Sequence, residues 1–194
     1  MTHTNLTELG ISPIDPDAQP DVYAAVLRTA RRLRLSDRQT IGFFPTEARV
    51  AILPLLIQLA LTLSEHGSVP VALVDANARF PALPKQASCM AADCEGLVAI
   101  QLNASVQLFT PRQARGKGFS EGEFSRLLEK RRECFRHVLV DMTGLDQDGE
   151  HLLVFRLLDA TVLVANARST PEYALVVAAR QVPAERQLGV LLVG

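Results

Sequence analysis

The chain has no excess of charge, no export signal and no uninterrupted apolar run long enough to span a bilayer. Its 194 residues carry 20 Lys and Arg against 21 Asp and Glu, a formal net charge of -1. That balance gives no global reason to expect a nucleic-acid binder or a polybasic membrane protein. The longest apolar stretch, Val50 to Leu63, is broken by Pro54 and Gln58 and is too short for a transmembrane helix. The first twenty residues are polar and acidic, without the basic-then-apolar pattern of a secretory signal. The 3 cysteines, in a chain without that signal, point to the reduced cytoplasm rather than a disulfide framework. Internal repeats and low-complexity tracts are also missing. Collagen-like, disulfide-stapled and membrane-spanning proteins are thereby excluded, and a cytoplasmic location is expected.

What is present is ample core material. Apolar residues make up 48% of the chain, enough for one globular domain. Residues 1–20, with Pro13, Pro16 and Pro20 around Asp15 and Asp17, predict an extended or disordered lead-in. A single domain is expected over 21–194. Asp21 to Leu35 has a helical period: Val22, Val26, Leu33 and Tyr23 share a face, and Arg28, Arg31, Arg32 and Arg34 decorate the rest. Thr40 to Phe44 reads as a buried strand ended by Pro45. Arg49 to His66 reads as an apolar helix ending at Gly67, and Pro70 to Val74 as a second strand entering Asp75. That is the size of a parallel crossover unit. Gly96 to Leu102 and Ser105 to Phe109 are strand candidates, followed by a basic loop with Arg112, Arg115 and Lys117. Ser120, with Glu123 three residues on, forms a capping box for a helix running to about Cys134. Strands near 137–140, 160–165 and 188–193 alternate with helices near 150–158 and 171–181, the last with Pro171 in its first turn. Short continuous apolar strands alternating with helices predict an α/β, doubly wound, mostly parallel sheet with helices on both faces.

Ligands in such folds bind beyond the carboxyl ends of strands. A phosphate site after the first strand needs glycines, so that backbone N–H groups approach the phosphate, and a lysine to neutralise it. The segment reads Pro45-Thr46-Glu47-Ala48-Arg49-Val50-Ala51-Ile52-Leu53-Pro54, with neither residue type and with the added negative charge of Glu47.

In its framework, Ile41 to Ala60 nevertheless resembles the first strand, loop and helix of the MinD/ParA-type P-loop ATPases. That family includes the bacterial tyrosine kinases (BY-kinases) of polysaccharide export. The family's loop pattern is K-G-G-x-G-K-[ST]-[ST]. On it Glu47 takes the place of the first lysine, and Ala48, Arg49 and Ala51 those of the glycines. Ile52 replaces the phosphate lysine, Leu53 the magnesium-binding hydroxyl and Pro54 the residue after it. Val71 to Pro81 is similar to the kinases' second strand and acidic motif, with Asp75, Arg79 and Pro81 matching and Asn77 replacing the second aspartate. Phe135 to Thr143 resembles the Walker B strand, with Asp141 on its acid. Asp21 to Arg34 looks like the helix ahead of the kinase strand; Leu27-Arg28-Thr29 matches, while the interface pattern E-x-x-R-x-x-R is otherwise missing. With only 2 tyrosines, Tyr23 and Tyr173, the chain lacks the tyrosine-rich tail of an autophosphorylating kinase.

The resemblance therefore implies a non-catalytic pseudo-ATPase or pseudokinase with a degenerate Walker A segment, acting as an interaction or regulatory protein in exopolysaccharide biosynthesis or export. Asp75 and Asp141 would be vestigial acids. No catalytic residue, cofactor or metal is expected. Arg28, Arg31, Arg32 and Arg79 are the candidate interface residues. The implied partner is the cytoplasmic part of a membrane polysaccharide co-polymerase, or an active paralogue, with a homodimer as a further option. The protein would then sit at the inner membrane through its partner, without insertion and without nucleic acid. Two other readings stay open: an ATP- and magnesium-binding kinase or ATPase using Asp75 and Asp141 unconventionally, and a ParA-like positioning protein for a polar or pilus apparatus. Cys89 and Cys94 lack the second ligand pair that zinc sites use. His66 and His151 are expected at the surface or at helix ends.

Overall fold

The computed structural model describes residues 6, 11, 14–47, 52–65, 69–83, 93, 96–115, 118–145 and 149–194. Helix α1 spans Pro20–Leu35 and β1 spans Thr40–Pro45. Then come α2 (Leu53–Glu65), β2 (Val71–Asp75), β3 (Leu97–Gln101), β4 (Val106–Pro111), α3 (Glu121–Cys134), β5 (His137–Asp141), α4 (Glu150–Leu157), β6 (Ala160–Asn166), α5 (Glu172–Gln181) and β7 (Gln187–Val193). The seven strands form one sheet in the order β3-β4-β2-β5-β1-β6-β7. Every neighbouring pair is parallel except β3 and β4. Those two are joined by a short turn in which Asn103 Oδ1 accepts from the N–H groups of Ser105 and Val106, both at 2.8 Å. So short a connection permits only an antiparallel pair.

Strand alternation divides the core between two faces. On one, Ile41, Phe43, Leu73 and Leu139 pack with Val26 and Leu33 of α1 and with Leu56, Leu59 and Leu63 of α2. On the other, Phe44, Val74, Val138 and Val140 pack with Phe124 and Leu128 of α3, Val154 and Phe155 of α4, and Ala178 of α5. Both faces of the central strands are covered, which is why their sequences read as unbroken apolar runs. Ile11, from the proline-rich lead-in, is buried on the α1 and α2 face.

Two expectations need comment. Helix α2 is Leu53–Glu65, with Pro54 in its first turn, where a missing N–H costs nothing; of the expected start at Arg49, residues 49–51 lie outside the described residues. The Thr46 hydroxyl donates to the Val164 carbonyl at 3.2 Å. Pro171 is the cap residue before α5 instead of lying in its first turn, whereas Pro20 opens α1. The Ser120 and Glu123 capping box is present as expected.

Gly42 lies in β1, and a Cβ there would meet Leu158 Cδ1 well inside contact distance and Met142 Sδ at 2.7 Å. Overpacking a core typically costs about 1–3 kcal/mol, against roughly 0.5–1 kcal/mol gained by removing a strand glycine. Gly42→Ala is therefore expected to lower stability by about 1–2 kcal/mol, read as a lower urea midpoint at unchanged slope. A midpoint at or above that of the wild type would show that Leu158 and Met142 yield freely.

Candidate functional site

Strand β1 is the switch point of the sheet. From it the chain crosses through α2 to β2 on one side, while β6 lies on the other. The carboxyl ends of β1, β2 and β5 therefore converge where a ligand crevice forms in this architecture. Asp75 ends β2 and Asp141 ends β5, and the two stand opposite each other in the parallel register. Alternation with Leu73 and Leu139 places both on the α2 face of the sheet.

Both acids are buried, at 2% and 4% exposure. Asp75 Oδ1 accepts from the Asn77 N–H at 3.0 Å, and its Oδ2 from the Ala82 N–H at 2.8 Å and the Thr110 hydroxyl at 3.0 Å. Asp141 Oδ1 accepts from the Thr143 N–H at 2.9 Å and the Thr143 hydroxyl at 2.6 Å. Burial, and then the neighbouring Asp141 charge, push the Asp75 carboxyl up to about 7. Burial also raises Asp141. These acids are tied to the loops that follow their own strands.

The segment after β1 carries the other half of the crevice. Ile52 is 1% exposed and Leu53 8%, both within the core on the α2 face. One carboxylate oxygen of Glu47 is screened from solvent without a hydrogen-bond partner. Ala48, Arg49 and Ala51 lie outside the described residues. A nucleotide with magnesium needs a lysine, a metal-holding hydroxyl and free carboxylate oxygens. Ile52 and Leu53 offer buried hydrocarbon at the first two positions, and Asp75 has both oxygens engaged. The described residues hold no group of three or more His, Cys, Asp or Glu side chains placed to bind a metal.

Of the interface candidates, Arg28, Arg31 and Arg32 are exposed along α1. Arg79 is instead drawn inward: its Nη2 pairs with Glu150 Oε1 at 3.0 Å. The same oxygen accepts the Gly118 N–H at 3.2 Å, so Glu150 joins three loops at this end of the sheet. Gly144 faces them with φ +78°, and a Cβ there would strike the Asn77 side chain. The sequence gives no sign of Thr110 or Glu150 as organisers, since each depends on strands or loops far apart in the chain. His151 stands at a helix end, in the first turn of α4, and is buried there, with Nδ1 3.1 Å from the Leu145 carbonyl and its ring stacked on Phe44 at 5.3 Å. Cys134 is exposed, while Cys89, Cys94 and His66 lie outside the described residues. Arg115 in the basic loop pairs with Glu123 and lies 5.0 Å over the Phe119 ring.

The fold is a mostly parallel seven-stranded α/β sheet with two buried acids at adjacent strand ends. No protein-family model matches the chain, and no curated protein matches it by sequence. Solved structures do. The kinase domain of the Escherichia coli tyrosine kinase ETK superposes with a TM-score of 0.70 at 16% identity, covering 100% of this chain and 82% of that one. The VpsO kinase domain gives 0.69 at 16% identity, with 88% and 93% covered. A ParA family ATPase from Chlorobium tepidum TLS gives 0.56 at 15% identity, with 81% and 74% covered. At these identities the likeness is one of fold. Among the described residues no helix is long and apolar enough to cross a membrane.

Proposed function

We propose that this chain is a non-catalytic relative of the bacterial tyrosine kinases, keeping their scaffold as an interaction or regulatory protein in exopolysaccharide biosynthesis or export. The observation that carries the reading is the burial of Ile52 and Leu53 where a nucleotide-binding loop presents its lysine and hydroxyl. The desolvated Asp75 and Asp141 support it, since both are committed to loop hydrogen bonds. The pathway rests on the likeness to tyrosine kinase domains. Its partner would be the cytoplasmic part of a membrane polysaccharide co-polymerase or an active paralogue, and neither ATP nor magnesium would be its cofactor.

Calorimetric titration with millimolar ATP and magnesium tests this directly. No saturable heat is expected. Saturable binding at micromolar affinity, lost in Asp75→Ala or Asp141→Ala, would overturn the proposal in favour of an unconventional kinase or ATPase.

A further inference from the structure

At the amino ends of the strands, opposite the crevice of Asp75 and Asp141, lies a polar cleft of about 400 Å³. Arg38 stands before β1, Arg132 in the last turn of α3 and Arg156 in the last turn of α4; Asp159 stands before β6, and Glu185 and Arg186 before β7. Four guanidiniums and two carboxylates therefore share one cavity. Arginine is the side chain whose planar fork matches the oxygens of an oxyanion.

The end of α4 accounts for part of this charge. A helix leaves its last carbonyls without partners and carries a partial negative charge there. Arg186 Nη1 donates to the carbonyls of Phe155 and Arg156, both at 2.8 Å, and to that of Leu158. Arg132 Nη2 donates to the Leu157 carbonyl at 2.9 Å and to Asp159 Oδ1 at 3.3 Å, and its Nε to the Thr40 hydroxyl at 2.7 Å. Asp159 is committed as well, since its Oδ2 accepts from the N–H groups of Gln39 at 3.1 Å and Thr40 at 2.8 Å. Two cations and one acid thus complete the helix end, and the other two cations have no such task. Among the described residues the Arg156 side chain has no hydrogen-bond or ion-pair partner, and the Arg38 guanidinium has only Asp37, itself almost fully exposed, at 3.8 Å. The anchored pair also keep donors in reserve. Nη1 of Arg132 and both Nε and Nη2 of Arg186 take no part in these bonds, and none of the three is buried, so they open onto the cleft.

We propose that this cleft binds an anion carrying a diphosphate group. Arg132 and Arg186 are already held by one edge of the fork and offer another without a further ordering cost. Arg38 and Arg156 supply the mobile donors that close on the ligand. The excess of guanidiniums over carboxylates matches a group with at least two negative charges, whereas a lone carboxylate would leave cations unmatched. Glu185, exposed and without a partner among the described residues, opposes the ligand and sets its affinity. The inference does not depend on the proposed function. ATP binding at the Asp75 crevice would remove that function and leave this cleft; failure of the cleft leaves that function standing.

Calorimetric titration of the full chain without magnesium, first with inorganic pyrophosphate and then with an alkyl diphosphate, tests it. Sulfate and citrate are the controls. One saturable event per chain, weakened by salt, is expected. Binding of the ester assigns a bound metabolite and binding of pyrophosphate alone the free ion; the guanidinium chemistry is common to both. Arg156→Gln and Arg38→Gln each remove a charge-assisted contact and should weaken binding roughly tenfold. Glu185→Gln should tighten it severalfold. These three side chains are exposed and hold no hydrogen bond of the fold, so urea midpoints should stay at the wild-type value. The proposal is overturned by absence of saturable binding below about 1 mM, by equal binding of sulfate or citrate, or by wild-type affinity in both arginine variants, which would put the anion elsewhere.

Discussion

Ile52→Lys is expected to unfold or severely destabilise the protein, and not to endow it with a nucleotide site. Aligned on the P-loop pattern, this substitution restores the residue whose absence is most damaging to phosphate binding. Physically it places an ammonium at a position 1% exposed, among the apolar side chains of α1, α2 and the sheet. Losing the buried isoleucine costs about 1.5–3 kcal/mol. Burying an unpaired charge adds several kcal/mol more, limited by the lysine giving up its proton. The Ile52 carbonyl accepts from the Leu56 N–H at 2.9 Å, so the side chain stands at the positive end of α2. That helix has no acid in its first turn to compensate. A loss of about 5 kcal/mol is comparable with the whole stability of many domains. Ile52→Met, which conserves volume, should cost less than about 1.5 kcal/mol and serves as the control. Urea unfolding and ATP calorimetry on both variants decide the matter. An Ile52→Lys protein that melts like the wild type and binds ATP at micromolar affinity would mean that 47–54 is a dormant phosphate loop, and the proposed function would fall.

The difference between those outcomes bears on how much a sequence discloses. The parallel core was legible because strands covered on both faces must be apolar throughout, and Ile41 to Phe44, Val71 to Val74 and Val138 to Val140 satisfy that without reference to any partner. The Ser120 cap was legible because its partner Glu123 lies three residues away. Asp75 and Asp141 were legible as strand-end acids. Their state was not, because burial and the Thr110 hydroxyl come from elements far along the chain. Arg79 shows the same limit: its ion pair is made with Glu150, 71 residues away. Ile52, read as helix, lies just before it in α2, because a buried apolar residue has the same look ahead of a helix as inside one. Proline at the second position of that helix was the sign of where it begins.

The pH dependence of stability is expected to run opposite to that of most salt-bridged proteins, with the wild type losing stability between about pH 4 and pH 7. The cause is Asp75, whose carboxyl is pushed from 3.8 in the unfolded chain to about 7 by burial and then by Asp141. Within that window the unfolded chain releases the proton and the folded chain retains it. The folded state therefore binds more protons, and the free energy of unfolding falls as pH rises. Three units of displacement correspond to an upper bound on the order of 4 kcal/mol, at 1.36 kcal/mol per unit. Above about pH 7 the contribution is constant, because both states are ionised. Asp141, also raised by burial, acts in the same direction. His137 acts in the opposite one: burial, and then Arg136, lower its pKa, so it favours the folded state as pH rises toward 6.5. Asp75→Asn isolates the carboxyl, since His137 and Asp141 remain in both proteins. An amide cannot accept with both atoms, so the variant loses one of the bonds from Asn77 or Ala82 and should be the less stable protein near pH 4. By pH 8 the order should reverse, with the variant's profile much flatter. Urea midpoints across that range give the answer. A wild-type stability that rises from pH 5 to 8, or an equal slope in Asp75→Asn, would show that the pair is ionised in the fold. Three hydrogen-bond donors hold Asp75 to the loop after β2 and to β4.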